Sequence, residues 1–439
     1  MLSKDYRTKI KKIEKLLTEV SKNAETDSRF VQRRSKMDGV QFVQTMVLGC
    51  MQKAHMSLSE LAQTSIRLGV EISGPGLDQR IDTEAVQMLK QVLRESLERL
   101  GGAERLDIQI LRRFSKVYLT DSTQMELPAG LAEAFPGSGG DASPAAIKLQ
   151  VMYEYLSSTF EAIEVGPANQ PDQGCRIHLQ HSQHGALHLF DLGYFSQRVL
   201  AELDRADAFF ITRMDFHTAL FSQDPPSLRL ELLPFLRNLS GDQLEVPIQL
   251  GCKAHLPVRV LFQRMPAQIV AERRRKAIER TKKKGRTPTE EYLELLEWNS
   301  FVTNVPQDWL SFDQVLRLYT LRWQIELVFK LWKSQAGLDA LGPWRKERLL
   351  VQLYARLIGL SLFFALSAPF RWLVDRELSL PKAFSSFQAF LPDLIRAIAR
   401  GWTSFPAVLD RLISHWKRFD LKTQRRKAPS TFRLLSSAA

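Results

Sequence analysis

Apolar residues recur at two different periods along the chain, and the changes of period predict where helices and strands lie. In the first hundred residues they recur at steps of three and four, as at Leu93, Leu97 and Leu100, after a helix-capping Asp82 or Thr83. From about residue 106 short apolar or alternating runs appear, namely KVYLT, KLQVMYEY, TFEAIEV, ALHLF and AFFIT, which predict strands. Beyond about Asp313 the helical period returns. The pattern therefore predicts an α/β protein with helical regions at both ends.

Five regions follow from this pattern. We expect a helical N-terminal region at 1–105, the first part of an α/β core at 106–216, a mainly β insertion with a basic helix at 217–298, the second part of the core at 299–365, and a helical C-terminal region at 366–439. Within the first region, LSELAQTSIRLGVEIS fits a helix-turn-helix and equally a plain helical hairpin. The apolar segment LIGLSLFFALSAPF is too short to span a bilayer, so it predicts a buried helix.

The charge balance adds a partner to this picture. The 439 residues include 61 Lys and Arg against 48 Asp and Glu, which gives a formal net charge of +13. This sign favours a polyanionic partner such as nucleic acid, although many basic proteins bind none. Three widely spaced cysteines indicate a reducing compartment, and the charged start MLSKDYRTKIKKIEKLL lacks the apolar stretch of a signal peptide. These features predict a cytoplasmic protein that does not enter a membrane.

Two basic runs are candidates for nucleic-acid contact. The stretch 273–286 holds nine basic residues in fourteen positions, which suggests DNA binding, with a solvated helix as the alternative. Its proposed DNA-contacting residues are Arg273, Arg274, Arg275, Lys282, Lys283 and Lys284. The run at 417–427 fits DNA contact and a disordered tail equally. Four histidines, at positions 178, 181, 184 and 188, lack the paired-ligand spacing of a zinc site.

The segment YTLRWQIELVFKLWK contains the most informative pattern in the chain. On one continuous α-helix Tyr319, Arg322, Glu326 and Lys333 fall within about 60° of one face, with Lys330 close by. A salt-bridged surface helix is the alternative, because Arg322 and Glu326 are an i,i+4 pair. The remaining apolar residues of this helix, such as Trp323 and Leu327, are expected to pack on the core. The polar stripe then faces either solvent or a functional site.

Two aspartates outside this segment each follow a predicted strand. Asp121 comes after KVYLT and Asp191 after ALHLF, and acids at strand ends can converge at one edge of a sheet. For either aspartate alone, the cap of a turn or helix is the favoured interpretation. Together with Glu326 they provide three carboxylates for hard divalent cations such as Mg²⁺. A pair of such ions can activate a water or 3′-hydroxyl for attack on a phosphodiester.

These residues resemble a known family. The spacing of Tyr319, Arg322, Glu326 and Lys333 is similar to the signature of the insertion-sequence-four family of bacterial DDE transposases. TDST around Asp121, DLGYFS around Asp191 and FVTNVP before the signature also resemble that family's blocks. The resemblance covers about 105–365 and extends weakly into the N-terminal region.

The resemblance implies an RNase H-like catalytic core interrupted by the insertion, and cut-and-paste transposition through a DNA hairpin intermediate. Asp121, Asp191 and Glu326 would bind the metal, expected to be two Mg²⁺ ions with Mn²⁺ as a substitute. Tyr319, Arg322, Lys330 and Lys333 would contact DNA at the cleaved end. Trp298 would stack on a base flipped out of the duplex.

The resemblance also implies partners and a location. We expect binding to the inverted repeats at transposon ends and to target DNA, and a homodimer on paired ends. One further observation supports the expectation of a dimer. The C-terminal region contains an excess of apolar residues that a partner could cover, namely Trp402, Phe405, Val408, Leu409 and Leu412. The location would be the bacterial cytoplasm, on the nucleoid when DNA is bound. Two alternatives stay open: a non-catalytic DNA-binding protein derived from a transposase, and a metal-dependent nuclease without strand transfer.

Overall fold

The structure is a computed structural model of the chain. It describes residues 4–32, 36–101, 105–139, 143–223, 228–239, 241–283, 285–342, 345–373, 376–423 and 435. The chain folds into two compact units, the first within 1–107, 121–171 and 324–433, the second within 108–120, 172–323 and 434–439. Helices and strands are mixed, as the sequence pattern predicts.

The N-terminal part of the first unit is helical throughout its described residues. Its α-helices are α1 (Lys4–Lys15), α2 (Ser21–Ser28), α3 (Gly39–Cys50), α4 (Leu58–Arg67), α5 (Gly74–Asp78) and α6 (Thr83–Leu100), with a π-helical segment at Leu16–Val20. Local sequence explains where they begin. Asp82 Oδ1 accepts a hydrogen bond from Ala85 N at 2.8 Å and caps α6, and Ser57 with Glu60 forms a capping box at α4.

The same unit contains a short sheet and the long C-terminal helices. Strand β1 (Val117–Leu127) belongs to this unit from residue 121 onward and is followed in the sheet by β2 (Ala145–Glu154) and β3 (Thr159–Pro167), which pair antiparallel. Its later elements are α13 (Trp323–Ser334), α14 (Lys346–Ser367), the strands β11 (Trp372–Leu373) and β12 (Arg376–Glu377), α15 (Leu380–Ala399) and α16 (Phe405–Phe419). Three 3₁₀ turns lie at Ala129–Leu131, Leu338–Ala340 and Ala368–Phe370.

Helix α14 is the centre of the first unit. It packs against α6 and α3, and every residue from Leu349 to Ser367 is buried. The segment Lys346–Phe370 is long and apolar enough to cross a membrane, yet its apolar window is wholly covered by the rest of the protein. It has the burial of a core helix, as the sequence predicts.

The second unit is built on one larger sheet. Residues Val117–Thr120 of β1 pair in parallel with β4 (Leu187–Phe190), and the order continues through β5 (Phe209–Arg213), β10 (Trp298–Thr303), β9 (Leu256–Arg264), β8 (Gln243–Leu250), β6 (Leu220–Ser222) and β7 (Arg229–Leu230). Its helices are α7 (Ile177–Gln180), α8 (Gln197–Arg205), α9 (Leu232–Arg237), α10 (Ala267–Lys283), α11 (Glu290–Leu295) and α12 (Phe312–Tyr319). Four 3₁₀ turns lie at Gln109–Leu111, Asp172–Gly174, Leu192–Tyr194 and Thr320–Arg322.

The insertion at 217–298 differs from the expectation of a mainly β segment. Its strands β6 to β9 extend the sheet that holds β5 and β10, so they are not a separate sheet. Its helices α9, α10 and α11 contain more residues than those strands. The reason is the helix-forming composition of the long α10, which is rich in Ala, Glu, Arg and Lys.

The C-terminal helices correct the apolar motive for a dimer. Phe405, Val408, Leu409 and Leu412 of α16 are at most 7% exposed, and α16 packs on α15. The ring of Trp402 lies 4.9 Å from that of Phe405. The four residues of α16 are covered within the chain, because their apolar stripe packs on α15. They leave no apolar surface for a partner to cover, whereas Trp402 is half-buried.

Candidate active site

Asp121 lies inside a strand, not at its end. Strand β1 continues to Leu127, because alternating buried residues follow Asp121 and the pairing with β2 is maintained. The half-buried carboxylate accepts a hydrogen bond from Ser122 N at Oδ1, at 2.8 Å. The preceding Thr120 is fully buried, and its Oγ1 has no hydrogen-bond partner among the described residues.

Asp191 follows strand β4 directly and caps the 3₁₀ turn Leu192–Tyr194. Its Oδ1 accepts a hydrogen bond from Gly193 N at 2.8 Å. In the second unit Thr120 is the register partner of Phe190, so Asp121 and Asp191 each follow one member of this pair in sequence. A Cβ at Gly193 would lie 3.0 Å from Asp191 Oδ1 and 3.7 Å from Asp172 Oδ2. Asp172 is therefore a neighbouring carboxylate that the sequence pattern did not indicate.

Tyr319 and Arg322 form a hydrogen-bonded pair close to Asp191. Burial raises the pKa of the Tyr319 phenol, and the nearby Asp191 carboxylate acts in the same direction. The Arg213 and Arg322 guanidinium groups oppose this rise in the pKa. The Tyr319 ring also packs edge-on against Phe301, with 4.9 Å between ring centroids. Arg213, at the end of β5, is a further cation of this cluster and was absent from the sequence-based candidates.

The signature segment is not one continuous α-helix. Helix α12 ends at Tyr319, a 3₁₀ turn spans Thr320–Arg322, and α13 begins at Trp323. Tyr319 and Arg322 belong to the second unit, whereas Glu326 and Lys333 belong to the first. The prediction of a single 60° helix face is therefore wrong. The 3₁₀ turn has three residues per turn, so the period of 3.6 residues does not run through the whole segment.

Two apolar residues of α13 also depart from expectation. Trp323 is 56% exposed and Leu327 is 40% exposed, so neither packs in the core. They lie one turn apart beside Glu326, which is in the first turn of α13 and half-buried. Lys330 is exposed further along the helix. This side of α13 presents an acid, a lysine and two large apolar side chains to solvent.

Lys333 has a partner on strand β1. Its Nζ donates a hydrogen bond to the carbonyl oxygen of Gln124 at 2.7 Å, and Asp339 Oδ1 lies 3.8 Å away. Gln124 is three residues after Asp121, so within the first unit α13 and β1 meet at this bond. The strand of one predicted metal ligand is thus tied to the helix that carries another.

The donor chemistry of these acids suits a hard divalent cation, since all three are carboxylates. Oδ1 of Asp121 and Oδ1 of Asp191 each accept one backbone N–H, which fixes their orientation. However, no three His, Cys, Asp or Glu side chains in the described parts of the chain lie together in an arrangement that holds a metal ion. The structure thus shows three carboxylates of the right type, two of them held by nearby backbone N–H groups, and no preassembled set of three among the residues that it describes.

Comparison with known proteins decides the family. Residues 112–362, more than half of the chain, match the family described as “Transposase DDE domain”. The chain belongs to this family. DDE transposases in general use divalent metal ions and act on DNA.

Curated relatives of this DDE transposase cover most of its length. The transposase for insertion sequence element IS1151 of Clostridium perfringens is 27% identical over 95% of this chain and 93% of its own. That for element IS231F of Bacillus thuringiensis subsp. israelensis is 29% identical, over 93% of this chain and 90% of its own. A solved structure titled as a cryo-EM structure of the piggyBac transposase synaptic complex with hairpin DNA aligns at a TM-score of 0.43 and 10% identity, covering 94% of this chain and 84% of that one.

Trp298 of this transposase is buried at the start of β10. It is 3% exposed and belongs to the apolar core of the second unit, with the Arg264 guanidinium 4.7 Å from its ring centroid. It also lines a cavity of about 670 Å³ together with Arg213, Arg273, Lys276, Arg280, Tyr292 and Asn299. The indole is thus a core residue that also lines a cavity in which four cationic side chains outnumber the two acids Asp215 and Glu291, and it does not project from the surface.

The basic helix α10 divides into inward and outward cations. Arg273 donates hydrogen bonds to Leu296 O, Trp298 O and Asn299 Oδ1, and Arg274 donates to Leu293 O and Glu297 Oε1. These two guanidinium groups therefore hold α10 to α11 and β10.

The outward cations of α10 differ among themselves. Arg275 is exposed and pairs with Glu279 at 3.0 Å. Lys282 and Lys283 are exposed at the end of the helix, whereas Lys284 lies outside the described residues. Arg425, Arg426 and Lys427 of the second basic run also lie outside them. Lys282 and Lys283 are exposed together with Arg280 and Arg286, so these side chains are open to a phosphate backbone.

Proposed function

We propose that this protein is an active transposase that cleaves and joins DNA at the ends of an insertion sequence. The observation that carries the proposal is the parallel pairing of Thr120 with Phe190, after which Asp121 and Asp191 follow in sequence. Acids that follow paired residues of adjacent parallel strands suit a role as metal ligands. The family match supports the same chemistry. The core would then be RNase H-like.

Asp121, Asp191 and Glu326 would hold the divalent metal, expected to be two Mg²⁺ ions with Mn²⁺ as a substitute. Bound metal activates the attacking hydroxyl and stabilises the leaving oxygen of the phosphodiester. The residues of the chain contribute the carboxylates and their orientation. Ser122 N donates a hydrogen bond to Asp121 Oδ1, and Gly193 N donates one to Asp191 Oδ1. Each hydrogen bond fixes the orientation of its carboxylate group.

Tyr319, Arg322, Lys330 and Lys333 would grip phosphates at the cleaved end. Arg322 presents a planar set of donors that suits phosphate, and its bond to Tyr319 fixes both side chains beside Asp191. Arg213 adds a second guanidinium to this cluster. A concentration of cations around one carboxylate is suited to hold DNA while the carboxylate holds metal.

The remaining basic residues would bind the duplex away from the chemistry. Lys282 and Lys283, with Lys284, are proposed contacts, and Arg275 is a weaker one because Glu279 already pairs with it. The helices of 1–105 are proposed to recognise the inverted repeats, and the regions 106–216 and 299–365 to form the catalytic core. A homodimer is proposed on paired ends, and the protein would act in the bacterial cytoplasm on nucleoid DNA.

A hairpin at each excised end would require a base to leave the stack. Trp298 is the proposed stacking partner, and its edge on the 670 Å³ cavity provides the approach. That volume lies in the range of about 300–1,000 Å³ that small-ligand pockets occupy. The flipped base would therefore enter this cavity and meet the buried indole.

A metal-dependent nuclease without strand transfer is the competing function. It needs the carboxylates, but it has less need to retain the cleaved end. The Tyr319–Arg322 pair next to Asp191 favours the transposase, because it provides a fixed grip on an end that must persist until joining. A non-catalytic DNA-binding protein would need none of these acids.

The test uses purified full-length protein with end DNA and Mg²⁺, and follows nicking, hairpin formation and joining to a target plasmid. Asp121→Asn, Asp191→Asn and Glu326→Gln are each expected to abolish cleavage while end binding persists. Asp308→Asn, which alters an exposed acid of the second unit, is the matched control and should cleave normally. Cleavage without joining by the wild-type chain would favour the nuclease. Normal cleavage by any of the three variants would remove that acid from the site.

A further inference from the structure

A buried guanidinium lies at the end of the helix that carries Glu326. Arg356 of α14 is fully buried and donates hydrogen bonds to four backbone carbonyl oxygens. One belongs to Ala336, which follows α13, at 2.6 Å. The other three belong to the last residue of α3 and to the loop after it: Cys50 at 2.9 Å, Lys53 at 3.5 Å and Ala54 at 2.6 Å.

The positions of these carbonyls explain why an arginine is there. Cys50 ends α3, and Ala336 lies two residues past the end of α13. Carbonyls at helix C-termini lack intrahelical partners and carry the negative end of the helix dipole. A single guanidinium group donates hydrogen bonds to carbonyls at the C-terminal ends of both α3 and α13. Its planar, forked set of donors can reach two segments at once, which the single ammonium group of a lysine does less well.

A second contact joins the same two segments without Arg356. Gly337 has a φ of +70° and terminates α13 in the left-handed region. A Cβ at this position would lie 2.5 Å from Ala54 O and 2.6 Å from Ala54 Cα. The backbones therefore touch, and any side chain at Gly337 must push α13 and the loop apart.

The loop itself is held from further sides. A Cβ at Gly359 of α14 would lie 2.3 Å from Met51 Cγ, so the Met51 side chain lies against the bare helix. Gln388 Nε2 of α15 donates to Met51 O at 3.0 Å. The loop 50–54, which connects α3 to α4, is thus a fixed support, and α13 rests on it at one end.

We propose that Arg356 is a positioning residue for catalysis, which fixes the helix of Glu326 against the loop 50–54 of the N-terminal region. Glu326 lies in the first turn of α13, and a helix transmits a displacement at one end to the other as a rigid rod. Releasing Ala336 from Arg356 lets α13 shift along or about its axis. Glu326 then moves relative to Asp121, whose strand belongs to the same unit. This inference rests on the proposed role of Glu326 as a metal ligand.

The test compares variants of both contacts with a core control. Arg356→Gln removes the charge, Arg356→Lys keeps it with fewer donors, and Gly337→Ala inserts a methyl group against Ala54. Leu412→Ala, in the fully buried core between α15 and α16, destabilises the same unit without touching α13. For each purified full-length protein we would measure thermal unfolding, end binding in EDTA, Tb³⁺ luminescence, and the nicking rate against Mg²⁺ concentration.

Arg356→Gln and Gly337→Ala should raise the Mg²⁺ and Tb³⁺ concentrations for half-saturation by about ten- to a hundredfold, as loss of an outer support of a metal ligand does. Arg356→Lys should show a smaller shift. End binding should persist at temperatures where the variants are folded, and Leu412→Ala should keep the metal dependence of the wild type.

The proposal is overturned if both variants lose activity only in proportion to their unfolded fraction, with half-saturation unchanged. If the Arg356→Gln protein does not fold, the metal dependence of Gly337→Ala and Arg356→Lys decides whether Arg356 has this positioning role. If Glu326→Gln itself cleaves normally and leaves Tb³⁺ binding unchanged, the proposed function of Glu326 fails first. Normal metal binding by the Arg356 and Gly337 variants alone, with Glu326→Gln inactive, would instead contradict only the positioning role of Arg356.

Discussion

Lys333 Nζ of α13 is bound to the carbonyl oxygen of Gln124 on β1, at 2.7 Å. The bond joins the helix of Glu326 to the strand of Asp121 within one unit. An ammonium has three donors, so this bond leaves donors for a phosphate. Lys333 therefore has a structural role, and the proposed DNA contact adds to it.

Lys333→Met should separate these two roles. Loss of one phosphate contact should reduce the slope of log binding constant against log salt concentration by about 0.9 on duplex DNA. Loss of the bond to Gln124 should lower the free energy of unfolding by about 1 kcal/mol, because the partly exposed side chain gains less than a buried one. Mobility-shift titrations at several salt concentrations and urea unfolding provide the two readouts. Lys382→Met on α15 is the charge-matched control, and an unchanged slope in Lys333→Met would exclude the phosphate contact.

The outward lysines of α10 should contribute to DNA binding in the same measurement. The double variant Lys282→Ser, Lys283→Ser is expected to weaken DNA binding. It should reduce the slope of log binding constant against log salt concentration by up to about 1.8, because two phosphate contacts are lost. Thermal stability should not change, because both side chains are exposed.

Arg274→Met is the contrasting variant on the same helix. It should lower stability, because Arg274 donates to Leu293 O and Glu297 Oε1, while leaving the slope nearly unchanged. A reversal of these two outcomes would mean that the inward face of α10 binds DNA.

The strands could be predicted from the sequence because their apolar alternation matches a period that only strands satisfy. The capping of α6 by Asp82 follows from local residues in the same way. The 3₁₀ turn Thr320–Arg322 could not be predicted. Its residues suit an α-helix equally well, and the break depends on packing that the sequence pattern does not contain.

The candidate site shows the same limit. Residue type and spacing make Asp121, Asp191, Tyr319 and Arg322 candidates, because their order resembles a family signature, and their roles stay predictions. Nothing local marks Asp172, which stands in a loop and reaches Gly193 only through the fold. The burial of Trp298 and the exposure of Trp323 could not be predicted from the sequence either. The periodicity of apolar residues does not tell whether a particular aromatic side chain packs in the core or lies on the surface.

Two buried histidines near Asp191 predict a loss of stability in mild acid. Burial lowers the pKa of His178 to about 4 and that of His188 to about 3. Both folded values lie below the unfolded value near 6.5, so the unfolded chain binds the extra protons. Stability is therefore complete above about pH 6.5 and is lost as the pH falls toward the folded values.

The free energy of unfolding should fall by about 1.4 kcal/mol per pH unit for each histidine as the pH decreases within that window. Urea unfolding between pH 6.5 and 5, above the range of ordinary carboxylates, measures it. His178 stacks on Phe190 with 5.7 Å between ring centroids, so His178→Phe should preserve the packing and lower the slope by about one proton. An equal slope in this variant would show that His178 is protonated in the folded protein, contrary to its buried position.

Trp298 provides the last and most discriminating prediction, because its burial and its cavity edge imply two different losses. Removing the indole should cost about 3–5 kcal/mol of stability, as for other buried aromatic residues. If the indole also stacks on a flipped base, it contributes roughly 1–3 kcal/mol to hairpin closure. Trp298→Ala should then slow hairpin closure by about ten- to a hundredfold, at about 1.4 kcal/mol per factor of ten, while the first nick proceeds. Trp309→Ala is the matched control, because Trp309 packs against Phe114 and Phe209 in the same unit and does not line the cavity. Nicked DNA that accumulates with Trp298→Ala but not with Trp309→Ala supports stacking. Equal loss of nicking and closure in both variants, in step with their unfolded fractions, would show that Trp298 only packs.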